Sequence, residues 1–157
     1  MKRPSQVWRA AELSAYSGSL LLDTHIWVWH LEGDATRMAP ATIPLLNRSG
    51  VDGGLRVCDI SAWEVAVKAA KGKLQFTIDP MIWLQRAGRA PGTRALALDR
   101  EILLLSTRLP GTLHNDPADR MLIAAAQLNN IPLVTADALI IDYAKTHPGT
   151  PVVDARA

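Results

Sequence analysis

Short apolar segments alternate with longer segments of helical spacing along most of the chain, and this alternation restricts the fold more than any other feature. Strands are predicted at residues 20–22, 55–60, 95–98, 132–135 and 151–153. These segments are apolar without interruption, which is typical of strands in a parallel sheet that helices cover on both faces. The sequence therefore predicts an α/β fold, a three-layer α/β/α sandwich around a mainly parallel central sheet of four or five strands.

Length and composition are consistent with one such domain. The chain has 157 residues, 48% of them apolar and 20% charged, and a chain of this size buries roughly 68–70% of its surface without disulfides or metals. The single cysteine, Cys58, cannot form an internal disulfide, which fits a reducing cytoplasm. The apolar runs are far shorter than the ~20 residues of a membrane helix, so we expect neither a membrane segment nor a secretion signal. A net charge of +2 does not by itself indicate a nucleic-acid-binding protein.

Several acidic residues follow the carboxyl ends of the predicted strands. In a parallel sheet these ends lie at the same edge of the sheet. Asp23 directly follows the first strand, Glu64 lies four residues past the second, and Asp137 lies two residues after the strand at 132–135. Asp116 and Asp119 begin the helix before that strand, so strand order alone does not bring them to the edge. Ligands of open α/β sheets bind at this edge, near the point where the strand order reverses.

Each acid also has a simpler interpretation as a helix cap. Ser61 and Glu64 have the spacing of a capping box, Asp116 and Asp119 have the same spacing, and Asp137 can cap the helix that follows it. Acids in a first helical turn are favoured by about 0.3–1 kcal/mol. Asp23 is harder to explain in this way, because a carboxylate at the end of a buried strand loses hydration and needs a partner.

Taken together, these carboxylates indicate a cation site. Several carboxylates at one buried edge repel each other, so either some of them are neutral or a cation neutralises them. Oxygen ligands alone favour a hard divalent ion such as Mg²⁺ or Mn²⁺, which activates water and stabilises displacement at phosphorus.

Three segments carry a resemblance to a known family: LLLDTHIWVW, ISAWEVAVKAAKGKL and HNDPADRMLIAAAQLNNIPLVTAD. They resemble PIN-domain ribonucleases, and among these the VapC-type toxins of type II toxin–antitoxin systems, from about residue 20 to residue 154. On this basis residues 1–18 are an N-terminal extension and residues 19–157 a PIN-like nuclease domain. The resemblance implies that the catalytic residues are Asp23, Glu64, Asp119 and Asp137. It also implies that Asp23 and Asp119 bind the metal, with support from Thr24, Asp116 and Thr135.

The resemblance further implies the activity. It implies an endoribonuclease toxin, dependent on Mg²⁺ (or Mn²⁺), that hydrolyses RNA phosphodiester bonds with a water activated by the bound cation. It implies a cytoplasmic homodimer, not attached to a membrane, whose activity a cognate antitoxin protein neutralises. The alternative is a non-catalytic PIN-like module that binds RNA or a protein partner without cleavage.

Basic and aromatic residues near the predicted site allow two interpretations. Lys68 and Lys71 share a helix face with Glu64, and Arg120 follows Asp119, so these three cations either form salt bridges or contact RNA phosphates. Trp63 and Trp83 are predicted to pack in the core, and His114 is predicted to lie in a solvated loop.

Overall fold

The structure, a computed structural model, describes residues 7–147 and 149–157. Its centre is a sheet of six strands in the order β1-β6-β5-β2-β3-β4, and every neighbouring pair is parallel. The strands are β1 (Val7–Arg9), β2 (Leu20–Leu22), β3 (Leu55–Cys58), β4 (Thr93–Leu96), β5 (Leu133–Thr135) and β6 (Val152–Asp154). The predicted α/β class and parallel sheet are confirmed, with one strand more than the upper estimate of five.

Helices cover both faces of this sheet. They are α1 (Thr24–Glu32), α2 (Thr42–Val51), α3 (Asp59–Ala70), α4 (Pro80–Ala87), α5 (Arg100–Ser106), α6 (Pro117–Asn129) and α7 (Ala138–Thr146). Strand β2 shows the division, because Leu20 and Leu22 belong to one buried apolar cluster and Leu21 to the other. The first cluster includes residues of α1, α2 and α4, and the second includes residues of α5, α6 and α7. The three-layer arrangement is therefore confirmed.

The additional strand comes from the N-terminal segment. Within the predicted N-terminal extension, β1 is followed directly by a 3₁₀-helix, Ala10–Leu13. Val7 pairs with Val152 and Trp8 with Val153, so that β1 extends the sheet beyond β6. This pairing satisfies backbone groups of β6 that would otherwise form an open edge. The division at residue 18 stays a prediction.

The chain path places one particular edge of the sheet where a ligand site is expected. From the central strand β2 the chain moves outward through β3 to β4, whereas β5 and β6 lie on the other side of β2. The strand order therefore reverses between β2 and β5, and the residues after these strands meet at the switch point. No helix among the described residues is long and apolar enough to cross a membrane.

Candidate metal centre

Asp23 is the buried carboxylate at the end of β2. It caps α1, and only 2% of its surface is exposed. Its Oδ1 accepts a hydrogen bond from the Thr24 backbone N–H at 2.7 Å, and its Oδ2 accepts one from the Thr135 hydroxyl at 2.6 Å. Burial raises the pKa of the Asp23 carboxyl, the bond from Thr135 opposes this rise, and the charge of Glu64 adds to it. A negative charge on Asp23 is therefore costly in the protein alone.

Glu64 reaches the same edge from the second turn of α3. Its Oε1 accepts a hydrogen bond from the Thr24 hydroxyl at 2.5 Å, and its Oε2 lies 3.5 Å from Lys68 Nζ. The Ser61 hydroxyl also contacts the Thr24 hydroxyl, at 2.8 Å. Because α3 begins at Asp59, two residues earlier than predicted, the expected capping box between Ser61 and Glu64 is absent. Both side chains instead connect α3 to the start of α1.

Asp119 lies in the first turn of α6 and belongs to a second part of the site. Asp116 caps this helix by accepting a hydrogen bond from the Asp119 backbone N–H at 3.0 Å. His114 Nε2 lies 2.6 Å from Asp119 Oδ2. Burial raises the pKa of Asp119 to about 7, and the hydrogen bond to His114 opposes this rise. The charges that add to it belong to Asp23, Asp116 and Asp137.

Asp137 follows β5 and caps α7. Its Oδ1 accepts hydrogen bonds from the backbone N–H groups of Leu139 at 2.8 Å and Ile140 at 3.3 Å. Its own backbone N–H donates to the Thr135 hydroxyl at 3.0 Å. The Thr135 hydroxyl therefore links Asp137 to Asp23. Thr24 links Glu64 to Asp23 in a similar way, because its hydroxyl donates to Glu64 and its backbone N–H donates to Asp23. Two threonines hold the ends of β2, β5 and α3 in one network.

One group of side chains in the described part of the chain has the geometry to hold a metal ion. Its members are His114, Asp119 and Asp137, whose ligand atoms lie within 4.8 Å of one another. The sequence had paired Asp119 with Asp23; the structure groups Asp119 with Asp137 and His114, and Asp23 acts on Asp119 through its charge. Carboxylate oxygens suit hard divalent ions, and a cation offsets the cost of the buried charges. The two carboxylates therefore fit Mg²⁺ or Mn²⁺, whereas the imidazole of His114 is not a typical ligand of these ions and is instead hydrogen-bonded to Asp119.

Of the three cations named from the sequence, two lie at a cavity beside Glu64 and one does not. Lys68 and Lys71, together with Lys73, line this cavity of about 240 Å³. Arg120 instead donates to the backbone carbonyls of Ser106 at 2.9 Å and Leu113 at 3.3 Å. These contacts fasten the segment between α5 and α6, and Arg120 is not among the residues that line the cavity.

Two features of the site were missed in the sequence. His114, expected in a solvated loop, contacts Asp119, and no local pattern indicated this contact across the start of α6. Trp63, expected in the core, is 57% exposed and lines the cavity beside Glu64, whereas Trp83 packs in the core as expected. The position of Trp63 directly before Glu64 in the sequence could have indicated that Trp63 lies near the site, because both residues belong to the start of the helix that follows β3.

An all-parallel sheet with clustered carboxyl groups at its switch point defines an α/β domain with a candidate cation site. The family model for the PIN domain matches residues 20–146. The chain belongs to this family, and the resemblance seen in its motifs is confirmed.

The chain is also similar to two known proteins. Ribonuclease VapC22 from Mycobacterium tuberculosis (strain ATCC 25618 / H37Rv) is 27% identical over 132 residues, which cover 84% of this chain and 97% of that protein. The crystal structure of VapBC2 from Rickettsia felis, bound to a DNA fragment from their promoter, has the same fold, with a TM-score of 0.57 and 13% identity. The match covers 85% of this chain and 96% of that chain. Both relatives match nearly their whole length.

Proposed function

We propose that this protein is a metal-dependent endoribonuclease toxin that hydrolyses RNA phosphodiester bonds. The observation that carries the proposal is the grouping of His114, Asp119 and Asp137 ligand atoms within 4.8 Å, beside the buried Asp23. Membership of the PIN domain family and the 27% identity to a protein named as a ribonuclease support the same activity. The alternative, a module that binds RNA or a protein without cleaving, uses the same fold but gives no reason for the cost of these buried carboxyl groups.

Asp119 and Asp137 would hold the cation, with Asp23 beside them as a further carboxylate. When bound, Mg²⁺ or Mn²⁺ supplies positive charge for a phosphodiester and lowers the pKa of water. His114 orients Asp119 through its contact with Oδ2, and Thr135 orients Asp23 through the other hydrogen bond at this edge.

Glu64 is the candidate proton acceptor of the reaction. The Thr24 hydroxyl holds its Oε1, so its Oε2, which is paired with Lys68, would take the proton of an attacking water. Lys68, 3.5 Å from Oε2, and Lys71 are placed to bind phosphate oxygens of the RNA backbone beside it. Arg120 supports the loop before α6 instead, so its predicted contact with RNA has no support from its position.

The partners follow from the same proposal. A cognate antitoxin would neutralise the activity, which the fold shared with a VapBC assembly supports. We also propose a homodimer located in the cytoplasm, as the resemblance implies. These assignments are tested by co-purification with the product of the neighbouring reading frame and by the mass of the isolated protein in solution.

Cleavage of RNA tests the activity directly. The protein should cut single-stranded RNA in Mg²⁺ or Mn²⁺, and both EDTA and Asp23→Asn should abolish the cutting. Asp52→Asn is the control, because Asp52 is an exposed carboxylate at the end of α2, outside the cluster. Cutting that survives both EDTA and Asp23→Asn would refute the mechanism. Binding of RNA without any cutting would favour the non-catalytic module.

A further inference from the structure

Trp63 is an unusually exposed tryptophan beside the candidate site. It is 57% exposed, whereas the side chains of Trp8, Trp27 and Trp83 are buried. A single exposed apolar side chain is ordinary, but Trp63 also lines a cavity beside Glu64. Trp63 and Glu64 line the same cavity, so a ligand that covers the Trp63 ring there lies near the proposed proton acceptor.

The cavity at Trp63 combines an apolar wall with a basic one. The apolar wall consists of Trp63, Val67, Pro117 and Ala118. The basic wall consists of Lys68, Lys71 and Lys73, and two carboxylates, Glu64 and Asp116, also line the cavity. The cavity has a volume of about 240 Å³, and the exposed ring of Trp63 in its wall is accessible to a flat ring system.

The basic wall continues past Glu64 into a second cavity. Lys68 and Lys73 also line this cavity of about 530 Å³, which contains Trp29 and His25. The rings of His25 and Trp29 lie 5.8 Å apart. Lys68 and Lys73 therefore border two cavities that each contain an aromatic side chain, and single-stranded nucleic acids are bound by this combination of cations and aromatic rings.

We propose that Trp63 is a substrate-binding residue that stacks on an unpaired nucleobase next to the scissile phosphate. This inference rests on the proposed ribonuclease function. It adds to that function a residue that distinguishes single-stranded RNA from duplex RNA. In a duplex the bases are already paired and stacked, so they cannot cover Trp63. Lys71 and Lys73 contact the backbone phosphates on the same side of Glu64.

Binding of short RNA to an inactive protein tests this inference. In an Asp119→Asn background, a labelled single-stranded oligoribonucleotide is titrated with protein and followed by fluorescence anisotropy. Trp63→Leu should weaken binding about five- to hundredfold, the range expected for one lost stacking contact. Trp63→Phe keeps an aromatic face and should stay within about threefold of the parent. Annealing the oligonucleotide to its complement should abolish the difference between the variants.

Met81→Ala is the matched control. Met81 is 62% exposed on α4 and does not line either cavity. The Met81→Ala variant should bind the oligoribonucleotide with unchanged affinity. Since both side chains are exposed, all these variants should melt within about 2 °C of the parent, because surface substitutions usually change stability by no more than about 0.5 kcal/mol.

Other outcomes would overturn the inference. Unchanged affinity in Trp63→Leu would do so, as would an equal loss for single-stranded and duplex RNA. A change of Trp63→Leu from dimer to monomer in size-exclusion chromatography, with RNA affinity kept, would assign Trp63 to an interface between copies. If the unmodified protein cuts RNA while Trp63→Leu binds normally, only this inference fails. If Trp63→Leu loses binding but the unmodified protein never cuts, the proposed function fails instead.

Discussion

The carboxyl group of Asp119 is surrounded by features that oppose its ionisation. Burial raises its pKa to about 7, and three other carboxylates contribute in the same direction. In the unfolded chain the group ionises near its ordinary value of 3.8. Between these two values the folded protein holds a proton that the unfolded chain has released, so stability falls as pH rises from about 4 to about 7. Above about pH 7 the contribution of the Asp119 proton to the free energy of unfolding is lost completely.

Asp119→Asn should therefore stabilise the metal-free protein at pH 8 and have little effect near pH 4. The amide cannot ionise, so the cost of a buried negative charge is removed. Each kcal/mol recovered should raise the melting temperature by roughly 2–4 °C. Thermal unfolding in EDTA at the two pH values measures the difference. A lower melting temperature at pH 8 would instead mean that the contact between Asp119 and His114 is mainly structural.

His114 should affect metal binding through Asp119. His114→Ala removes the group that lies 2.6 Å from Asp119 Oδ2, and loss of such an orienting partner typically costs 10–100-fold in metal affinity. Titration with Mn²⁺ followed by calorimetry measures this effect. His114→Gln keeps a hydrogen-bond donor and should recover part of the affinity. Equal affinity in all three proteins would remove His114 from the site.

The residues differ in how well the sequence predicts them. Asp23 could be predicted because a carboxylate directly after a buried apolar strand loses hydration and needs a partner. The cap interpretation, which the sequence favoured less for Asp23 than for the other acids, nevertheless also holds, since Asp23 is the N-cap of α1. The contacts of His114 and Arg120 could not, because they depend on how the segment between α5 and α6 folds back on the start of α6. Both contacts depend on the loop between α5 and α6, whose residues, His114 and Leu113 among them, carry no periodic signal.

At the scale of single elements, the start of α6 has two roles that can be separated. Asp116 caps the helix, and it also lines the cavity beside Glu64. Asp116→Ala should cost about 0.5–2 kcal/mol of stability, whereas Asp116→Ser keeps a capping oxygen and should cost little. Both variants should retain cleavage to within a few fold. If Asp116→Ser keeps its stability but loses activity, Asp116 is a metal or substrate residue as well as a cap.

Local signals explain which elements could be predicted. Helices α4 and α6 begin with Asp-Pro, which fixes the cap and the first turn without help from the rest of the fold. Strand β1 exists because it pairs with β6, which lies almost at the other end of the chain. The hydrogen bonds of Ser61 and Glu64 likewise reach Thr24 on α1, about 40 residues earlier in the chain. A local sequence pattern cannot predict elements that depend on such long-range contacts.

For the whole molecule, the parallel topology brings distant carboxyl groups together. Asp23, Glu64 and Asp137 follow β2, β3 and β5, which are neighbours in the sheet. The sequence predicts this edge because every strand of a parallel sheet points the same way. It does not predict which oxygens approach each other, since those distances depend on the caps of α1, α6 and α7. The parallel core thus determines which edge of the sheet carries the acidic residues, and the helix N-termini determine the distances between their oxygens.

A site of this kind should couple metal binding to the stability of the entire domain. A ligand that binds the folded protein alone contributes about 2.7 kcal/mol at a hundred times its Kd. For a chain of this size that gain should raise the melting temperature by about 5–11 °C. Thermal unfolding with increasing Mn²⁺ at pH 8 measures the effect. Asp119→Asn should remove most of it even though that variant starts from a higher metal-free melting temperature, whereas Asp52→Asn should respond like the unmodified protein. An equal Mn²⁺ response in Asp119→Asn would mean that the ion binds elsewhere, and the candidate metal centre would then have to be abandoned.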